Sequence, residues 1–194
     1  MSQINVDTIR NSSGTGGELS LTGGDFSFDS NTLFIDSSAD RVGVGTGTPG
    51  APLDVRASGG VMLMSAPLME GINIVAGEVN ATTNLDLLTS SVHLFTTAST
   101  ANWTHNLRGD ASTALNAILE VGQVCVVTVI AALGGSSGFT AGLSVDGASQ
   151  TVVWAGGEAP TAASDTTGYD LYQFTVIKTG NGTYNVFGST VGYQ

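Results

Sequence analysis

Charge is what this sequence has least of. Five Lys and Arg stand against sixteen Asp and Glu, a formal net charge of −11, and charged residues make up 11% of 194. A soluble domain usually carries roughly a quarter. So few cations cannot displace the counterions of a phosphate backbone, so no nucleic-acid partner is expected. Disorder is disfavoured too, because disordered chains combine many charges with few apolar residues, and here hydrophobic residues are 41%. The surplus of acid reads as solubility for a surface built mainly of hydroxyl and amide groups.

Cysteine is nearly absent. Cys125 stands alone in Val124-Cys125-Val126-Val127, which excludes an internal disulfide and points to a buried, inert thiol. Long apolar runs are missing as well. The longest, Val124 to Leu133, is interrupted by Thr128 and falls well short of the ~20 residues that a membrane helix needs. The opening Met1-Ser2-Gln3-Ile4-Asn5-Val6-Asp7 has neither a basic nor an apolar leader segment, so neither secretion nor a membrane partner is expected. With two histidines, His93 and His105, acid–base chemistry has few carriers.

What is present is glycine, 27 of them, set between short strand-like pieces. In residues 1–56 the candidates are 4–9, 19–21, 32–35, 41–44 and 53–56, divided by Gly16-Gly17, Gly23-Gly24, Gly45, Gly47 and Pro49-Gly50. This spacing indicates β structure, and no 3.6-residue period survives. A segment with so few large apolar side chains cannot build its own core. Intertwined copies of the chain would supply one and would cover the strand edges.

Residues 57–100 form a middle β region with pieces at 61–64, 72–75, 85–88 and 92–95. Residues 101–194 form the compact domain. One helix is predicted over 113–120, capped by Asp110-Ala111-Ser112 and stopped by Gly122. Strands are predicted over 123–133, 139–145, 149–155, 171–178 and 183–187, with hairpins at Asp146-Gly147 and Gly180-Asn181-Gly182. Tyr172, Phe174 and Val176 share one face, opposite Gln173 and Thr175. The fold class expected is all-β: an extended strand-and-turn N-terminal segment followed by a β-sandwich or jelly-roll-like C-terminal domain, trimeric as a whole.

Two stretches carry a resemblance. Residues 33–54, with Arg41-Val42-Gly43-Val44-Gly45-Thr46 between an Asp-rich turn and a Pro turn, resemble a segment of phage tail-fibre and other appendage proteins. The opening Ile4-Asn5-Val6-Asp7-Thr8-Ile9-Arg10 is similar to that of many structural proteins of marine and cyanobacterial phages. The ordered set Asn106-Leu107-Arg108-Gly109-Asp110, Ser144-Val145-Asp146-Gly147, Val153-Trp154-Ala155-Gly156-Gly157 and Tyr172 to Gly180 resembles a C-terminal module of phage fibre-like proteins. The resemblance implies a non-enzymatic virion protein, made in the host bacterial cytoplasm, and carries over no catalytic residues. On this reading residues 1 to about 20 dock to other virion proteins of tail or capsid, with Ile4, Val6, Ile9 and Arg10 as the docking side chains. Trp154 and Tyr169 are the candidate contacts to a host surface glycan. The chain is short for a fibre, so a capsid head-decoration (cement) protein is the alternative; a lectin-like or carbohydrate-active domain is the second, and would need paired carboxylates at a groove.

Other motifs weigh towards structure. Gly45-Thr46-Gly47-Thr48-Pro49-Gly50 spells a dinucleotide fingerprint, but no helical pattern follows it to meet a pyrophosphate. Asp36, Ser38 and Asp40 mimic the start of a calcium loop, whose required glycine is Arg41 here. A looser ion site on a three-fold axis stays open; no cofactor is expected. His93 reads as a sheet-face residue, His105 as a ring stacked on Trp103, Arg108 as locally paired, and Trp154 as a core anchor that competes with its receptor role.

Overall fold

The computed structural model describes residues 26–28, 32–56, 69–79, 81–134, 138–140 and 142–194. The fold is all-β. The chain divides into two compact units, Met1–Leu68 and Met69–Gln194. Among the described residues no helix is long and apolar enough to cross a membrane.

In the first unit β1 (Phe26–Phe28), β2 (Leu33–Asp36), β3 (Arg41–Val44) and β4 (Leu53–Val55) form one sheet in that order. The expected strands at 4–9 and 19–21 lie outside the described residues. The β2–β3 turn is tied by Asp36, whose Oδ1 accepts from the N–H groups of Ser38 and Ala39 at 3.0 and 3.1 Å and from the Ser38 hydroxyl at 2.6 Å. The stretch that mimics the start of a calcium loop is thus a turn locked by its own Asp36. β4 runs parallel to β3, and the chain returns to it through the glycine-rich loop. Gly45 has φ +75°, and a Cβ there would stand 1.9 Å from the Arg56 carbonyl oxygen, so only glycine fits. Arg41 donates to the Pro49 carbonyl at 2.8 Å, and Asp54 takes the Gly50 N–H at 2.8 Å. The fingerprint-like glycines therefore make a strand-to-strand crossover. Over residues 32–56 only Gly43, Thr46 and Pro49 are buried.

The second unit is a sandwich. A six-stranded sheet has the order β12-β14-β13-β9-β7-β5, and a four-stranded sheet the order β11-β10-β8-β6. The strands are β5 (Ile72–Glu78), β6 (Thr82–Asp86), β7 (Val92–Thr97), β8 (Thr104–Arg108), β9 (Val124–Ala132), β10 (Gly142–Val145), β11 (Ala148–Gln150), β12 (Val152–Trp154), β13 (Tyr169–Gly180) and β14 (Thr183–Tyr193). From β5 to β10 the chain crosses between sheets at every step. β5, β7 and β9 pair in parallel in one sheet, and β6, β8 and β10 in the other. The result is a flattened coil of three rungs, which the antiparallel pair β13–β14 closes on the β9 side. Of the two arrangements expected, the sandwich is the one observed, and its parallel winding separates it from a jelly roll. Residues 69–100, expected as a separate middle region, supply β5, β6 and β7 to these same two sheets.

Inward-facing residues of both sheets make one core. Phe95, Val127, Phe174 and Val176 meet Leu85, Leu107, Leu143 and Val145, all at most 3% exposed. The Asp146-Gly147 hairpin is present, with both residues at positive φ (50° and 82°), as a tight two-residue turn requires. The expected strand over 149–155 is two strands, β11 and β12, in different sheets.

The helix is a single turn, α1 (Leu115–Ile118), shorter than predicted. Asp110 does not cap it; its carboxylate takes the Ser112 N–H instead, at 2.7 Å. Both ends of α1 are capped by the sheets. Asp146 accepts from the N–H groups of Leu115 and Asn116 at 2.7 and 2.9 Å. The buried Lys178 ammonium donates to the carbonyls of Asn116 and Leu119 at 2.6 and 2.7 Å. A helix this short has no independent stability, so distant capping decides its length.

Leu107 is fully buried between the sheets. Leu107→Ala is expected to lower the unfolding free energy by about 2–5 kcal/mol in urea titration.

Candidate functional site

The docking residues proposed from sequence, Ile4, Val6, Ile9 and Arg10, lie outside the described residues. The two receptor-contact candidates are placed. Trp154 ends β12 and is 9% exposed, its ring 5.9 Å from that of Phe174 in edge contact. It lies over Gly188, where a Cβ would stand 2.9 Å from the indole. Trp154 is therefore chiefly a core anchor, and one edge reaches a groove of about 280 Å³ lined by Val153, Ala155, Gln173, Thr175, Phe187 and Ser189. The lining is aliphatic, aromatic, amide and hydroxyl, without charge. Tyr169 opens β13, is 41% exposed and pairs with Tyr193. The two candidates are not brought together. Trp154 sits opposite Gly188, five residues from Tyr193 along β14 and on the opposite face of the sheet.

A polar depression of about 360 Å³ lies at the end of the four-stranded sheet, lined by Asn106, Arg108, Asp110, Ser112, Thr113 and Asp146. Its groups are already engaged. Arg108 donates to Asp86 at 2.6 Å across β6–β8, and Asp146 holds the helix. Asn106 accepts from the Ser144 hydroxyl at 3.1 Å and the Gly147 N–H at 2.8 Å. The Asp110 carboxyl is held below its ordinary range, mainly by the Ser112 backbone N–H. The Arg108-Gly109-Asp110 tripeptide is thus built into the sheet end.

The two histidines face the core from opposite sheets, His93 on β7 and His105 on β8. His105 does not stack on Trp103; the rings meet edge-on at 6.2 Å, and the indole N–H donates to His105 Nε2 at 3.1 Å. Tyr172 and Phe174 complete the cage with centroids at 6.1 and 5.7 Å. His93 Nδ1 lies 3.1 Å from the Asn73 amide nitrogen, which donates to it. The other ring nitrogen of each, His93 Nε2 and His105 Nδ1, has no hydrogen-bond partner. Burial pushes both pKa values down, that of His105 to about 3 with a smaller contribution from His93. Two neutral, buried imidazoles of this kind hold the seam between the sheets, and neither ring is hydrogen-bonded to a nucleophile.

A third buried polar group is Asp170, on β13. It accepts from the Ser164 hydroxyl, from the Ser164 N–H at 3.3 Å and from the Tyr172 hydroxyl at 3.2 Å. Burial foremost, together with this carboxylate, pushes the Tyr172 phenol upward. The Cys125 thiol is half-buried and its pKa is raised by burial, the opposite of an activated nucleophile. Among the described residues no group of three or more His, Cys, Asp and Glu could hold a metal ion.

Sequence reasoning missed the Asp170 and Asn106 nodes. Asp170 joins Tyr172 to Ser164, six residues back, and Asn106 joins Asn84, Ser144 and Gly147, 22, 38 and 41 residues away, pairings that no local pattern signals. The Trp103–His105 pair was visible as two rings two residues apart. No family model, curated protein or solved structure matches the chain.

His105 sets a pH dependence. Its pKa falls from 6.5 unfolded to about 3 folded. Above pH 6.5 both states are neutral, and the group has no effect on stability. Below it the unfolded chain binds a proton that the folded chain refuses, so stability falls, by about 3 kcal/mol at pH 4. His93 adds to the loss with the same sign. Urea unfolding followed by tryptophan fluorescence between pH 7 and 4 is expected to show this decline, and His105→Gln to flatten part of it.

Proposed function

We propose that this chain is a non-enzymatic structural protein of a bacteriophage particle, a small homotrimeric tail fibre or surface appendage. Residues 1 to about 20, with Ile4, Val6, Ile9 and Arg10, dock it to other virion proteins, of tail or capsid. Residues 69–194 are displayed outward for contact with the host surface.

The observation that carries the reading is the state of residues 32–56. They form strands, yet every large apolar side chain among them is at least partly exposed, Ile35, Val44, Leu53 and Val55 by 40, 37, 64 and 44%. A sheet with no buried large apolar side chain among its described residues persists where something covers it, and neighbouring copies about a common axis do that while also occupying its edges. The resemblance of residues 33–54 to appendage proteins supports the same conclusion. The outward unit has the rigidity that display needs: two sheets share one core, and β13–β14 is a long hairpin. Avidity follows from copy number, since weak glycan contacts multiply when several heads engage one surface.

Immunogold labelling of purified virions is expected to mark the tail or a peripheral appendage. Gold over the head would replace the fibre with a cement protein, and absence of the protein from virions would overturn the reading. On a host-glycan array the recombinant protein is expected to bind.

A further inference from the structure

The six-stranded sheet of residues 69–194 has an outer face turned away from the core, and its register sorts that face into rows. Ile74, Leu94, Ile130, Leu171 and Val191 stand side by side on five successive strands, β5, β7, β9, β13 and β14. The adjoining row on one side runs Ile72, Val92, Thr128, Gln173, Ser189. Beyond it lies Val126, Thr175, Phe187, Val153. No row contains a charged side chain.

Of the thirteen large apolar residues exposed among the described residues of 69–194, only Met69, Leu88, Ile118 and Val121 lie off this face. An aliphatic row five strands wide is what a buried sheet face looks like. Six strands at ~4.8 Å spacing, over about eight residues of strand, give a footprint of roughly 700 Å². Monomers rarely expose apolar patches beyond a few hundred Å², and a stable interface takes about 800 Å² from each partner.

We infer that this face is the surface through which copies of this chain associate, each sheet meeting the equivalent sheet of its neighbours. The inference rests on the oligomeric reading above and gives it a location. Charge selects a copy as the occupant. The chain carries a net charge of −11, so like copies repel over most of their surface, and an uncharged face is where they can meet without that cost. A partner of different sequence, steered electrostatically to so acidic a protein, would require acidic groups on the face to recognise, and the rows offer none. Thr128, Gln173 and Ser189 form a neutral polar line across the middle that donates and accepts equally well to its own image.

Sedimentation velocity of the full chain at about 10 μM is expected to show an oligomer. Phe187→Glu and Val191→Glu, on the face, are expected to weaken association at least 100-fold and yield a monomer with native near-UV circular dichroism. Ile118→Glu, exposed but off the face, should leave the oligomer intact. Hydroxyl-radical labelling of the unmodified protein provides a test that no folding defect can confound: Phe187 and Tyr193 should be protected while Met69 reacts freely. An oligomer that survives both face substitutions, or one in which Phe187 and Tyr193 label freely, overturns the interface and leaves the oligomeric reading standing. A monomer overturns both if these residues are labelled; if they are protected, the face is covered by the chain's own residues, and the inference fails.

Discussion

A β-sheet has two faces, and the six-stranded sheet of this protein is apolar on both. The four-stranded sheet closes one of them, through Phe174, Val127 and Val176 against Leu107, Leu143 and Val145. The other carries the row from Ile74 to Val191 and has no cover among the described residues of 69–194. Burial of apolar area is the main favourable contribution to both folding and association, so the constraint that builds the sandwich is also the basis of the association proposed above.

The interior is not purely apolar, and its polar groups explain how so little helix and so many short strands hold a unique arrangement. Asp170, Lys178 and Asn106 are buried, yet each has partners: Ser164 and Tyr172 for the first, the carbonyls of α1 for the second, and Ser144, Gly147 and Asn84 for the third. A buried polar group with partners costs little, while one without them is expensive. These three therefore fix α1, the Asp146-Gly147 hairpin and the start of β13 relative to the sheets. The histidines are the weak points, since each keeps a ring nitrogen unpaired and cannot take up a proton without losing the seam.

Much of the fold was legible in local pattern. The strand at 41–44, the alternation of Tyr172, Phe174 and Val176, and the Asp146-Gly147 turn were all readable because their cause lies within a few residues. The parallel winding was not, because period-two alternation says that a residue faces a core without saying which sheet its strand joins. For the same reason 149–155 read as one strand when it is two, in separate sheets. β8 was missed because Thr104-His105-Asn106-Leu107-Arg108 is polar at positions whose partners, Trp103, Asn84, Ser144 and Asp86, are supplied largely by other strands. The helix read too long because its caps come from Asp146 and Lys178, far along the chain. At the candidate site the core-anchoring role of Trp154 was within reach of the sequence, whereas its seat over Gly188, 34 residues away, was not. The outer face was also present in the sequence, as the unbroken apolar run from Val124 to Val127, a pattern that signals burial on both sides of a strand.

The central claim is that the second face of the large sheet is completed by association. Its most direct test is the melting temperature of the full chain across a hundredfold range of protein concentration at neutral pH. If folding and association are coupled, the midpoint rises steadily with concentration. A midpoint that does not change over that range would mean that the isolated chain is already complete, and would contradict the account.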